Sequence, residues 1–257
     1  MRRGLTLIES LVAIAIISIL VATLVPGVGL VRARAREGEC RSHLRELALG
    51  ALGYSNSNRE WLPPAILFFM KDGQLDARGW DYRQFAGAWS PGAIWPFIGD
   101  GRVLMSPELA EPASDAEPFT GYNYNTTHLG SEGFLPGPAP DGHMIEGWEN
   151  ARLGAAPAQV RRPSDCALFG EGGWKGGANR FMRAPLNSVE YNLGTIYAGG
   201  QAFRRGRGTL VVHLDGNVRA YETPHEGPYA APWLLSQVMG FPRNGFLSAD
   251  DSAYDPR

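Results

Sequence analysis

Between Leu5 and Val25 the chain runs for 21 residues with a single charged side chain, Glu9. As an α-helix that run rises about 31 Å, the thickness of the hydrocarbon core of a bilayer. In lipid a lone segment satisfies its own backbone only as a helix, so the run dictates a membrane-spanning helix. Glu9 is then the residue that needs an explanation. An ionisable group in an apolar span costs about 2–3 kcal/mol even on the gentler insertion scales. Part of the relief is electrostatic: a helix N-terminus carries about half a positive charge, which favours an anion in its first turns.

Two simpler readings of the run fit less well. A cleaved secretory signal would have a shorter apolar region before its small-residue cleavage site, and the run ahead of Ala33-Arg34-Ala35 is too long. A plain single-pass anchor accounts for the length but not for a glycine, Gly4, followed five residues later by a glutamate. Charge alone does not orient the span: Arg2, Arg3 and the α-amine at one end nearly balance Arg32, Arg34 and Arg36 at the other.

Arg2-Arg3-Gly4, then Leu5-Thr6-Leu7-Ile8-Glu9, the apolar run and Pro26 together resemble the leader and first helix of a type IV prepilin. The resemblance implies that a membrane prepilin peptidase cuts between Gly4 and Leu5 on the cytoplasmic side and methylates the new terminus at Leu5. Phenylalanine is commoner at that position, so Leu5 is a mild departure. Glu9 would pair with the terminal amine of a neighbouring subunit and set the register of assembly, and Pro26 would shape the helix. The implied partners are the peptidase, other pilin or pseudopilin subunits and the membrane. The implied location is a single-pass inner-membrane protein with a cytoplasmic N-terminus and an extracytoplasmic head, and from there a cell-envelope filament.

Beyond Val31, Leu44, Leu47, Ala48, Ala51 and Leu52 recur at helical spacing, which predicts that the helix continues with one apolar face. Asn56-Ser57-Asn58 and Pro63-Pro64 end it, and Pro26-Gly27 is expected to bend or melt it locally. The layout is a leader at 1–4, a transmembrane and amphipathic helix at 5–58, a head at 59–246 and a polar, frayed tail at 247–257. The whole chain has 33 glycines and 19 prolines among 44% apolar residues, a loop-rich composition that can still fill a core. Ala65–Met70, Cys166–Gly170 and Val189–Tyr197 read as strands, residues 106–163 as a mostly irregular excursion, and Ala231–Met239 as a short helix. Thr209–Leu214 and Asn217–Glu222 flank Asp215-Gly216, the clearest hairpin signal noted in the head. The fold class expected is α+β: a long N-terminal helix packed on a loop-rich antiparallel β-sheet head.

The head adds a narrower resemblance. Cys40-Arg41 with Leu44 and Leu47, Leu62-Pro63-Pro64, Met105-Ser106-Pro107, Tyr122–Asn125 and Arg162-Pro163-Ser164 are similar to phrases of a pseudopilin-like family with a C-terminal H-x9-DG element. Here the element is degenerate. Arg205 stands at the histidine position, nine residues before Asp215-Gly216, and Asn217 follows where a second histidine is frequent. Ser106 replaces a cysteine of the family, which leaves Cys40 without its usual partner; Cys40 and Cys166 remain either as one bridge or as two thiols.

Other chemistry finds little support. A net charge of −2 and a pI of 6.2 give no basis for nucleic-acid binding. The five histidines are scattered, with no HExxH, GxSxG or Walker-type loop, so neither a catalytic site nor a cofactor is expected. No acidic spacing suits calcium, and Arg204, Arg205 and Arg207 read as a solvated basic turn. Trp80, Trp89, Trp95, Trp148 and Trp174 lie among glycines and polar residues; they either pack the loop-rich core or form a recognition surface. The function expected is a non-enzymatic structural subunit of a pilus or a type II secretion pseudopilus. The alternative is a membrane-anchored extracytoplasmic protein that binds glycans or proteins through its tryptophan-rich loops; an anchored hydrolase is a distant third.

Overall fold

A computed structural model describes residues 7–109, 121–138, 144–149, 151–172, 180–187, 199–204, 208–226, 244–255 and 257. The fold is α+β, with one long N-terminal helix and two sheets that are mostly antiparallel. The helix, α1, spans Leu7–Ser57. It runs through Pro26 and Gly27 without a break, contrary to the local melting expected there. A proline removes one hydrogen bond of the ladder, and the turns on either side keep theirs.

The chain divides into two compact units, Met1–Glu39 and Cys40–Arg257. In the second unit, Cys40, Leu44, Leu47, Ala48 and Ala51 are buried on one face of α1, and Leu52 packs against the same core. Burying each leucine contributes on the order of 1.5–3 kcal/mol. Tyr124 and Phe169 stack 4.9 Å apart within that core, and Trp80 lies 5.1 Å from Phe169.

Fourteen strands are described: β1 (Ile66–Lys71), β2 (Gln74–Gly79), β3 (Tyr82–Phe85), β4 (Ala88–Pro91), β5 (Tyr122–Asn125), β6 (Glu132–Gly133), β7 (Gly137–Pro138), β8 (Met144–Ile145), β9 (Ala167–Glu171), β10 (Phe181–Met182), β11 (Gln201–Ala202), β12 (Thr209–His213), β13 (Val218–Tyr221) and β14 (Asn244–Gly245). One sheet has the order β4-β3-β2-β1-β6 and the other β10-β5-β9-β12-β13; β7–β8 and β11–β14 are two-stranded ribbons. The two five-stranded sheets each carry one parallel pairing, β1 with β6 and β5 with β10.

The first sheet is a meander made by two-residue turns. Asp72-Gly73 and Ala86-Gly87 take positive φ at both positions (51° and 72°, 51° and 76°), the geometry whose twist suits a tight hairpin. The Asp215-Gly216 hairpin is built differently. Only Gly216 has positive φ, its N–H donates to His213 O, and His213 N–H donates to Asn217 O. This is a three-residue loop with a left-handed glycine rather than a two-residue turn at Asp-Gly.

Two further expectations are corrected, and two lie outside the described residues. Within the excursion at 106–163, Tyr122–Asn125 forms a strand of the second sheet with all four side chains buried. The segment expected to fray at 247–257 is docked: Leu247 and Tyr254 are buried. Leu247 N–H donates to Tyr254 Oη at 2.8 Å, and Asn125 Nδ2 donates to Tyr254 O at 2.9 Å. The strand expected at 189–197 and the helix at 231–239 lie outside the described residues.

The sheets are tied by a buried ion pair. Arg180 Nη2 donates to Asp81 Oδ1 at 2.5 Å, with side-chain exposures of 8% and 0%. Trp80 Nε1 donates to Arg180 O at 3.2 Å alongside. Burial pushes the Asp81 carboxyl up and the guanidinium opposes that. Asp81→Asn would leave a buried guanidinium without its counter-charge, a loss of about 3–5 kcal/mol. All seven tryptophans follow Ser57, so their fluorescence in the detergent-solubilised full chain reports the head. The urea midpoint of that signal should fall sharply in the variant.

Candidate functional site

The N-terminal segment is a site made by helix geometry rather than by a pocket. Gly4 and Leu5 lie outside the described residues. Glu9 is in the first described turn of α1, exposed, where the helix dipole favours an anion. Leu7, Ile8, Val12, Ile16, Ile17 and Leu20 are exposed and, at about 100° per residue, fall on all sides of the helix. A helix apolar around its whole circumference is suited to lipid or to other helices, not to water. Pro26 lies in this helix; its side chain is outside the described set.

In the head, Arg205 lies outside the described residues, and its neighbour Arg204 is buried. Arg204 Nη1 donates to Ser106 Oγ at 3.1 Å and lies 3.5 Å from Glu171 Oε1, and its Nη2 donates to Gly172 O at 2.8 Å. Leu210 N–H donates to Glu171 Oε2 at 2.9 Å. Burial pushes the Glu171 carboxyl up and Arg204 opposes it. Arg204 is therefore part of an interior ion pair, not of the solvated basic turn expected from the sequence. Asp215 and Gly216 serve the turn itself, since Asn217 N–H donates to Asp215 Oδ1 at 2.9 Å.

Cys40 and Cys166 are both free and buried, with no bridge between them. Cys40 Sγ lies 3.9 Å from Ser106 Oγ, the position at which the pseudopilin-like resemblance has a cysteine. Cys166 S–H donates to Tyr254 O at 3.4 Å. Burial, reinforced by Glu171 in one case and Asp255 in the other, pushes both thiols up to about 12. Protonated and enclosed, neither is a nucleophile at neutral pH. Among the described residues no group of three or more His, Cys, Asp or Glu side chains could hold a metal ion.

The tryptophans divide between core and surface. Trp80 is fully buried, and Trp89 and Trp95 flank Tyr82 at 6.4 and 5.6 Å. Trp148 is 42% exposed but rests on Phe68 at 4.7 Å, and Trp174 is outside the described residues. The ion pairs of the interior were not anticipated: Asp81–Arg180, Glu171–Arg204, Asp76 with Arg78 and Arg83, and Glu132 with Arg152 and Arg183. Their only trace in the sequence is an acid or arginine set in or beside a short β-rich run.

Residues 1–25 match the family model of the prokaryotic N-terminal methylation motif. No curated protein and no solved structure is similar enough to the chain to count as a match. A methylation motif of the prepilin type, ahead of a long helix and an α+β head, is consistent with a type IV pilin-like protein. Proteins with this motif form a structural family rather than an enzyme family.

Two predictions follow from the head. Ser106→Cys would place a second thiol against Cys40, 66 residues away in the chain. A bridge closing a loop of that size stabilises by about 4 kcal/mol in the chain-entropy model, less the lost Arg204 hydrogen bond. Thiol titration should then show one free cysteine, and the urea midpoint should rise under oxidising conditions and return on reduction.

The second concerns His213, which is buried with Tyr221 Oη 2.9 Å from Nε2 and Asn217 O 3.2 Å from Nδ1. Burial holds this imidazole below its ordinary value; Arg219 acts in the same sense, and Asn217, Asp215 and Asp165 oppose it. The fold favours the neutral ring, so below about pH 6.5 the unfolded chain takes up the proton first. Its contribution is whole above that pH and is lost as the pH falls toward the depressed folded value. His128, also lowered by burial, acts with the same sign. Head stability should drop between pH 7 and 5, and His213→Gln should flatten that slope in urea titrations.

Proposed function

We propose that this chain is a structural subunit of a pilus or a type II secretion pseudopilus, processed by prepilin peptidase and assembled through α1. The observation that carries the reading is the matched motif at residues 1–25, continued by a helix whose exposed side chains are apolar on every side. The peptide bond cut is Gly4–Leu5, residues 1–4 are the leader, and Leu5 is the methylated terminus. Removing the leader creates an amine four residues from Glu9 in sequence. In a filament core of low dielectric, that amine on one subunit and Glu9 on the next attract far more strongly than they would in water. A wrong register would leave the carboxylate buried and alone, at a cost of several kcal/mol. Glu9 thus specifies the stagger of subunits while the apolar helix supplies contact area. Pro26 lowers the helix's resistance to bending in that packing.

In this proposal the helix spans the inner membrane with its N-terminus in the cytoplasm, and the head lies outside. The head is a non-catalytic body, and its tryptophans serve packing before recognition: Trp80 is fully buried, Trp89 and Trp95 pack on Tyr82, and of those described only Trp61 and Trp148 count as exposed.

Intact and peptide mass spectrometry of the protein recovered from membranes of a host with an active prepilin peptidase tests the reading. A chain beginning at Leu5 and carrying one added methyl group is expected. Retention of Met1–Gly4 would sink it. Glu9→Gln should still be cut and inserted but should lose cross-linking between neighbouring helices.

A further inference from the structure

The charges just past the apolar run form a pattern that filament assembly does not use. From Ser10 to Val31 there is no charged residue, and then Arg32, Arg34 and Arg36 follow within five positions. All three belong to α1 and to the first compact unit. Arg32 and Arg34 are exposed and Arg36 is half-buried. At about 100° per residue, Arg32 and Arg36 share one side of the helix and Arg34 points almost oppositely. The cations therefore ring the helix rather than form a stripe. Along the axis the three Cα positions span about 6 Å. That matches the depth of one headgroup layer, about 5–7 Å between the hydrocarbon and the bulk water.

A partner helix or a flat protein surface would meet only one side of such a ring. A headgroup layer surrounds the helix and meets all of it, and long arginine stems can run along apolar surface while the guanidinium reaches phosphate. Guanidinium also suits phosphate geometrically, because its paired N–H groups match two oxygens. Glu37 and Glu39 follow on the side away from the apolar run, so the sequence sets the cations nearest the hydrocarbon.

We propose that Arg32, Arg34 and Arg36 form a binding belt for anionic phospholipid headgroups in the leaflet on the head side of the membrane. This rests on the reading of the apolar run as a membrane span. The belt recruits lipids of net negative charge around the helix and holds the subunit at a fixed depth. Each arginine contributes about a fivefold preference for anionic over zwitterionic lipid at the surface. Screening by salt lowers that preference.

The test uses the full chain in nanodiscs of phosphatidylcholine containing a minor fraction of phosphatidylglycerol. Spin-labelled forms of the two lipids report which is immobilised at the protein. The wild-type chain should prefer phosphatidylglycerol at least fivefold, less so at high salt. R32Q/R34Q/R36Q should bring the ratio to unity, while R32K/R34K/R36K should keep a preference. R34Q alone and R32Q/R36Q should each remove part of it. Unchanged tryptophan fluorescence would show that the head remains folded in each variant. Entry into the disc with no lipid preference, or a preference that survives the glutamine variant, overturns the belt and leaves the membrane reading standing. A preference carried wholly by one side of the helix also overturns it, in favour of a single protein-facing stripe. Failure to enter the disc overturns the membrane reading, and the belt with it.

Discussion

One face of α1 from Cys40 to Ala51 is what the head is built on. Cys40, Leu44, Leu47, Ala48 and Ala51 are shared with a core that reaches Tyr124 and Phe169 on the strands. The same helix is apolar all round in its first turns and apolar on one side only in this part. That change of pattern means a change of solvent. A side chain at position 17 has no protein core to enter, whereas one at position 47 has no route to water. Losing the helical face would therefore remove the layer on which the sheets close, as well as a few leucines.

The head offsets its loop-rich composition with charge in unusual places. Four carboxylates, Asp76, Asp81, Glu132 and Glu171, meet arginines inside or at the border of the fold. Such pairs are costly to bury and costly to break, so removing one partner destabilises far more than the intact pair stabilises. Asp81–Arg180 sits between a strand end of the first sheet and the start of β10 in the second, where an apolar contact would tolerate sliding and a charged one does not. Glu171–Arg204 holds the approach to β12 beside Ser106 and Cys40 in the same way.

The proposed assembly and membrane residence would make opposite electrical demands on α1. Glu9 at one end is compatible with an apolar surrounding only while it is near positive charge, whether the helix terminus or an amine. Arg32, Arg34 and Arg36 at the other end favour negative surroundings. Between them lie twenty-two residues with no charge, Ser10 to Val31. In the proposed reading the helix would be held by its ends, leaving the apolar stretch to exchange lipid for other helices.

The long apolar N-terminal helix, its continuation to Ser57 and the α+β class were legible because they follow from local pattern: uniform apolarity over twenty-one residues, then period 3.6 on one face. The methylation motif at residues 1–25 was legible for the same reason, being confined to one short run of the chain. The β1–β4 meander was legible in principle. Asp72-Gly73 carries the same Asp-Gly turn signal as Asp215-Gly216, just after the strand expected at Ala65–Met70. Tyr122–Asn125 was not legible, because a strand buried on both faces shows no alternation, and asparagine in it looks like loop. Asn125 is tolerated there because its side-chain amide donates to Ala167 O and Tyr254 O, a partnership between residues 129 positions apart. The same long-range contact docks a tail whose composition looked frayed. The sequence by itself determined that a long apolar helix follows a prepilin-type methylation motif, since both depend on neighbours in the chain. Only the tertiary structure decided which charges are interior, which cysteine faces Ser106 and where the tail ends up. Those outcomes depend on distances between segments that no local pattern encodes.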